Sequence, residues 1–266
     1  MNREITAYDV RKIVLDQSKK AGVGHIGSSL SIVEILVTLF RDVLNIPDIQ
    51  APDRDRFILS KGHAALALYA ILNLKGILSA DQLDQFCQNG GKVGVHPEHA
   101  LEGIDFATGS LGHGLSIGAG AAYAARLQNA GRRVFVLISD AECNEGSIWE
   151  AVMFSAHHKL SNLIVLVDLN GQQALGYTNE VCDLSPLEEK WRVFGWDVHI
   201  VDGHDEAEIA NTIAGLDTQS GPPHVLIART TFGRGVSYME NKIKWHYWPM
   251  SDAEYRQALD EIGGRQ

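Results

Sequence analysis

Asp140 and Asn170 are the pair whose types and spacing point most directly to chemistry. Each follows closely on a short apolar, β-branched run, Val134–Ile138 and Leu163–Val167, with a helix-length segment, Gly146–Lys159, between them. Runs of that length read as buried strands, so the stretch 132–173 predicts a β-α-β unit. The crossover makes the strands parallel and puts both carboxyl ends on one sheet edge, where open α/β sheets bind ligands. A carboxylate and an amide oxygen side by side there are hard ligands of the kind Mg²⁺ takes together with phosphate oxygens. Gln172, just beyond, can add a backbone carbonyl. Glu142 and Glu145 crowd further negative charge that a cation or a helix N-terminus must offset. Taken singly, Asp140 is equally well explained as a helix cap and Asn170 as a turn former before Gly171. Spacing alone leaves these structural roles and a metal–diphosphate site level.

Four histidines stand in loops beside glycine or proline: His25, His63, His96 and His246. Each alone reads as a hydrogen-bonded structural residue. Together they say more, because His25 and His63 sit at glycine turns that open helices, and His96 lies in the aperiodic stretch 89–105. Such turns offer free N–H groups to a phosphate, and histidine moves protons near neutral pH. An aperiodic loop of that length in a compact domain is usually functional.

The elements that must hold these residues alternate along the chain. Helices are expected over Tyr8–Lys20, Leu30–Leu44 (capped by Ser28 or Ser29), the segment running to Leu74, Asp81–Cys87, Leu115–Asn129, Gly146–Lys159, Pro186–Phe194 and Glu206–Leu216. Strands are expected at Asp55–Ser60, Val134–Ile138, Leu163–Val167, Asp197–Val201 and Val225–Arg229, with a loop over Gly171–Asp183. The pattern predicts one α/β domain, 1–266, with a mostly parallel sheet and helices on both faces. Small residues fill Leu115–Asn129, which should therefore be buried at a close interface.

Hydrophobic residues make up 45% and charged residues 21% of 266, which suits a globular chain rather than a disordered one. A formal net charge of −10 argues against nucleic acid as a partner. Three cysteines without paired spacing indicate neither disulfides nor a zinc site. The N-terminus lacks a secretion signal's apolar core and no run reaches membrane-span length, so a cytoplasmic protein without membrane contact is expected.

A series of motifs then appears in order: GHIGSSLS, DRFILSKGHAALALY, HPE, TGSLGHGLSIGAG, SDAECNEGSIWEA with KLSNLIVLVDLNGQ, KWRVFGWDVHIVDGHD, and GRGVSYMEN with WH. Together they resemble the N-terminal, diphosphate-binding half of thiamine-diphosphate enzymes of the transketolase group, above all the separate N-terminal subunit of split transketolases. The resemblance implies the thiamine diphosphate-binding fold of the diphosphate-binding type. It implies Mg²⁺, with Ca²⁺ or Mn²⁺ able to replace it, on Asp140, Asn170 and the Gln172 carbonyl. His63 and His246 match diphosphate-contacting histidines, and His25 and His96 match those facing the sugar. Glu145 matches a glutamate in a proton network between two active sites, completing the catalytic set. Gly109, Ser110 and Leu111 match the segment at the cofactor rings, and Ala141 and Glu142 flank Asp140 in the cofactor-binding set. The family's pyrimidine-binding domain normally follows the matched segment, and this sequence stops at Gln266. The resemblance thus implies activity only with a C-terminal transketolase subunit carrying that domain, in a heterotetramer of two copies of each chain, on sugar phosphates.

Some positions depart from the family pattern. Ser139-Asp140-Ala141 replaces Gly-Asp-Gly, His113 a glutamine, Tyr247 a glycine, and Ala174-Leu175 an isoleucine–aspartate pair that leaves a looser wall. Two alternatives follow: a related thiamine enzyme passing a two-carbon unit from a 2-oxo acid or ketose to a carrier, or a noncatalytic partner-binding subunit. A nicotinamide-binding dehydrogenase would need a G-x-G-x-x-G after a first strand, which is absent.

Overall fold

The computed structural model describes residues 5–264, so the outermost residues of the expected 1–266 domain and of its N-terminal segment lie outside the described residues. The chain begins with helix α1 (Ala7–Ala21), then α2 (Ile26–Leu30) and α3 (Val33–Thr38), which runs into a π-helical turn at Leu39–Val43. Strand β1 (Arg56–Leu59) precedes α4 (Ala65–Leu74), the short α5 (Ala80–Leu83), and α6 (His113–Leu127). Next come β2 (Val134–Ser139), α7 (Gly146–His157), β3 (Leu163–Leu169), a small hairpin of β4 (Gln172–Gln173) and β5 (Gly176–Tyr177), and α8 (Thr178–Val181). The chain continues through α9 (Leu187–Val193), β6 (Asp197–Asp202), α10 (Glu206–Ala214), β7 (His224–Arg229) and α11 (Asp252–Gly263).

Strands β1, β2, β3, β7 and β6 lie side by side in that order, all parallel. Their side chains alternate between two cores, as the period of two requires. Phe135, Leu137, Ile164 and Leu166 meet α1, α3, α4 and α10, whereas Val134, Val136, Leu163 and Val165 meet α6, α7 and α9. Burial on both faces is why these strands read as continuous apolar runs. The segment after β1 joins the first core and the helix after β2 joins the second. The chain therefore parts to opposite faces between β1 and β2, and a crevice opens at their carboxyl ends.

Several boundaries differ from expectation for local reasons. The helix expected over Leu30–Leu44 is broken at Ser31 and Ile32, where the Ser31 hydroxyl lies within reach of Ser28 O (3.0 Å) and Asp168 Oδ2 (2.9 Å). Ser28 lies inside α2 rather than capping a helix. The helix expected to Cys87 stops at Leu83, because Cys87 turns back to donate its N–H to Val93 O. Within Gly171–Asp183 the β4–β5 hairpin and α8 replace an unstructured loop. Helix α11 has no counterpart among the expected elements, although Ser251 and Glu254 form a capping box that the sequence displays. Small residues on one face of α6 pack within the chain, where a Cβ on Gly118 would stand 2.3 Å from Val136 Cγ2, whereas Ser116 and Gly120 on the other face are exposed. Among the described residues no helix is long and apolar enough to cross a membrane.

Candidate functional site

Asp140 and Asn170 follow β2 and β3 directly, and the adjacent register of these strands brings them together as expected. Asp140 Oδ2 accepts hydrogen bonds from Gly171 N (2.9 Å) and Thr178 Oγ1 (3.2 Å), and Oδ1 accepts from Ala141 N (2.9 Å). Burial, with the nearby Asp168 second, pushes the Asp140 carboxyl up to about 7. Asn170 donates its Nδ2 to Asp168 Oδ2 at 2.7 Å, which leaves its Oδ1 to accept from Gln172 N at 2.9 Å. Gln172 is buried, and both polar atoms of its side chain lack a partner among the described residues.

Beneath these residues lies a buried pair that the sequence does not announce. Lys61 and Asp168 are both fully buried and bonded to one another. Asp168 also accepts from Thr230 Oγ1, and Lys61 Nζ donates to Ser28 O at 3.1 Å. By sequence alone Lys61 reads as part of a glycine turn and Asp168 as lying beyond its strand. A charged residue continuing the buried run Leu163–Val167 is the available signal.

A cleft of about 190 Å³ stands over the strand ends, and His25, Ser28, His63, His96, Gly109 and Leu111 line part of it. Ser139, Ala141, Asn170, Gln172, Gln173, Ala174, His246 and Tyr247 complete the wall. The rings of His25, His63 and His246 form a triangle with centroids 5.5–5.9 Å apart. His25 occupies the left-handed region at φ 60, a conformation that costs a non-glycine residue about 1–2 kcal/mol. His63 Nε2 lies 2.8 Å from Ser28 Oγ. His96 is exposed at the rim, where its carbonyl accepts from Tyr69 Oη at 2.8 Å.

Burial lowers the His25, His63 and His246 pKa values, His246 to about 4. Neutral rings at pH 7 keep one donor and one acceptor nitrogen each. Nδ1 of His25 and of His246 is buried without a partner among the described residues.

The folded-state pKa of His246 lies below its ordinary value, so protonation favours the unfolded chain. Its destabilisation is absent above about pH 6.5 and grows as pH falls toward about 4. Asp140, shifted upward, acts in the opposite direction over part of this window. The informative quantity is therefore a difference: His246→Phe should gain stability over the parent as pH falls, by up to about 3 kcal/mol at the acid end. Urea unfolding at a series of pH values measures it, and a constant difference would contradict the shift.

Phe232 supports this wall from behind, a role that its sequence position does not signal. Its ring stacks parallel to that of His246 at 5.4 Å, and Gly27 lies against its edge. A Cβ at Gly27 would stand 2.1 Å from Phe232 Cε1. Gly27→Ala should displace both rings and cost about 1–3 kcal/mol by overpacking. Thermal unfolding checks this, and an unchanged midpoint would show that the packing yields freely.

Not every expected residue reaches the cleft. Glu142 is fully buried and bonded to Ser60 Oγ and to the N–H groups of Gly112 (2.9 Å) and Ser139 (3.0 Å). It ties three loops together behind the wall instead of lining it. Ser110 and Glu145 are exposed and lie outside the lining residues, whereas Gly109 and Leu111 belong to them. The wall expected to be loose at Ala174 is bridged, because Tyr247 Oη donates to Ala174 O at 2.6 Å. Leu175 is 82% exposed and takes no part.

Paired oxygen ligands at adjacent strand ends, glycine turns and neutral imidazoles are what an α/β domain that binds a phosphorylated ligand requires. The family described as "Transketolase, thiamine diphosphate binding domain" matches residues 2–265, and the chain belongs to that family. It is 39% identical to one of the subunits of the apulose-4-phosphate transketolase from Phocaeicola vulgatus, over 98% of this chain and 94% of that protein. It is also 39% identical to a 6-deoxy-6-sulfo-D-fructose transketolase subunit from a Clostridium species, over 95% of this chain and 93% of that one. The crystal structure of the Campylobacter jejuni transketolase superposes with a TM-score of 0.89 at 30% identity, covering 97% of this chain and 42% of that one. The chain thus spans less than half the length of that solved transketolase.

Proposed function

We propose that this chain is the diphosphate-binding subunit of a two-chain transketolase, moving a two-carbon ketol unit from a ketose phosphate to an aldehyde acceptor. The observation that carries the reading is the cleft, whose wall three neutral imidazoles share with Asn170, with Asp140 between the lining residues Ser139 and Ala141 at the adjacent strand end. Orphaned nitrogens on His25 and His246 and the unpaired Gln172 amide fit a polar ligand there. Asp140, Asn170 and the Gln172 carbonyl would hold Mg²⁺, or Ca²⁺ or Mn²⁺ in its place, against the diphosphate of thiamine diphosphate. When bound, that cofactor supplies the nucleophilic carbon and the electron sink of the transfer.

The protein's own residues position the reactants and handle protons. His63 and His246 would donate hydrogen bonds to diphosphate oxygens, near the Ala141 N–H, which here donates to Asp140 Oδ1. His25, in the triangle with His63 and His246, and His96, at the exposed rim, would bind the donor sugar's hydroxyls and carbonyl. The neutral His25 imidazole can take a hydroxyl proton and return it. Glu145, exposed at the start of α7, would join a proton network with a partner chain.

A cleft of about 190 Å³ is smaller than the roughly 300–1,000 Å³ of sites that enclose small ligands, which suits one wall of a shared site. The relatives' designation as subunits supports a partner chain; in this reading that partner carries the pyrimidine domain, in a heterotetramer of two copies of each chain. This reading places the pair in a reducing, cytoplasmic setting. The test is ketol transfer measured for each chain alone and for the pair. Turnover is expected from the pair only, and full turnover by this chain alone would contradict the shared site.

A further inference from the structure

A second cluster of ligand-type side chains stands at the opposite sheet edge. Asp197 and His224 begin β6 and β7 and are register partners, and His199, two residues along β6, shares the Asp197 face. Asp197 Oδ2 lies 2.9 Å from both His224 Nδ1 and His199 Nε2, and the three ligand atoms fall within 4.8 Å of one another. These strands run six residues, so roughly 20 Å of sheet separates the cluster from the cleft.

His224 is the informative member. Its ring is buried, and Nε2 stands 3.0 Å from the carbonyl oxygen of Asp217. A carbonyl can only accept, so Nε2 carries the N–H. Nδ1 then presents a lone pair to a carboxylate oxygen, and two acceptors at 2.9 Å repel unless a positive centre lies between them. A second proton or a metal ion can supply it. A ring N–H fixed by a backbone carbonyl is the arrangement that orients metal-binding histidines. Two imidazole nitrogens and a carboxylate oxygen suit a zinc-class ion better than Mg²⁺ or Ca²⁺, which favour oxygen throughout. The side chains of Asp197 and His199 are 41% and 34% exposed, leaving the outer side of an ion to water. Tetrahedral bonds of about 2.0–2.2 Å set ligand atoms roughly 3.3–3.5 Å apart, a few tenths of an ångström beyond the contacts present.

We propose that Asp197, His199 and His224 bind a divalent transition ion of the zinc class, clamping the edge strand β6 to β7 independently of the cofactor cleft. The experiment titrates Zn²⁺, and separately Co²⁺, into the chelator-stripped full chain paired with its partner subunit. Excess Mg²⁺ and thiamine diphosphate keep the strand-end oxygens occupied. One Zn²⁺ per chain, a raised unfolding temperature and the visible absorption of tetrahedral Co²⁺ are expected. His199→Ala and Asp197→Asn should each weaken Zn²⁺ binding at least about tenfold, since even losing a group that only orients a ligand costs metal sites about 10–100-fold. Both should leave thiamine diphosphate binding unchanged. No saturable Zn²⁺ binding, or undiminished affinity in both variants, overturns the site and leaves His224 as a doubly protonated ring paired with Asp197.

Discussion

Asp140→Asn should fold and yet lose thiamine diphosphate binding by about 100-fold or more in the presence of Mg²⁺. The amide retains an oxygen to accept from Gly171 N or Ala141 N, so the turn after β2 keeps a hydrogen bond. It carries no charge into a position that is 5% exposed, so the cost to the fold is confined to the one backbone N–H that the new Nδ2 cannot accept, about 1–3 kcal/mol. What it lacks is the anionic oxygen that a hard divalent ion requires between two strand ends. Losing a group that merely orients a ligand already costs metal sites about 10–100-fold, and a direct ligand costs more. Calorimetric titration of the variant pair checks this. Parental affinity with Mg²⁺ present would mean that the metal is held elsewhere.

Lys61→Met should destabilise the chain by about 3–5 kcal/mol, the cost of stranding one member of a buried ion pair. Asp168 is fully buried, and its remaining partners, Ser31, Asn170 and Thr230, are neutral. Adding Asp168→Asn to Lys61→Met should recover much of the loss, since the second change removes the stranded charge. The double variant should still bind cofactor poorly, because Asp168 takes up the Asn170 Nδ2 and thereby turns Oδ1 toward the strand end. Urea unfolding of the single and double variants, with cofactor titration of the double, measures both effects. A loss below about 1 kcal/mol in Lys61→Met would show that the two charges are not desolvated as a pair.

The central β-α-β unit is legible because strands buried on both faces must be apolar throughout, which leaves Asp140 and Asn170 as visible polar ends. The histidine cluster is legible as types beside glycine turns, but its triangular arrangement is not. That arrangement depends on His25 taking a left-handed backbone and on the turn at Ile243–His246, neither of which has a periodic signal. Lys61 and Asp168 are hidden for a different reason. Charged residues next to turns normally signal solvent, and only the tertiary pairing shows that both are buried. Glu142 illustrates the converse, since proximity to Asp140 suggests ligand contact while its carboxylate is already taken by Ser60, Gly112 and Ser139.

The central claim, a metal–diphosphate site on this chain completed by a partner, is tested most directly by titrating thiamine diphosphate into the assembled pair with Mg²⁺ and again with chelator. Saturable binding at one cofactor per copy of this chain, lost when the metal is removed, is the predicted result. Absence of binding by the assembled pair in Mg²⁺ would contradict it.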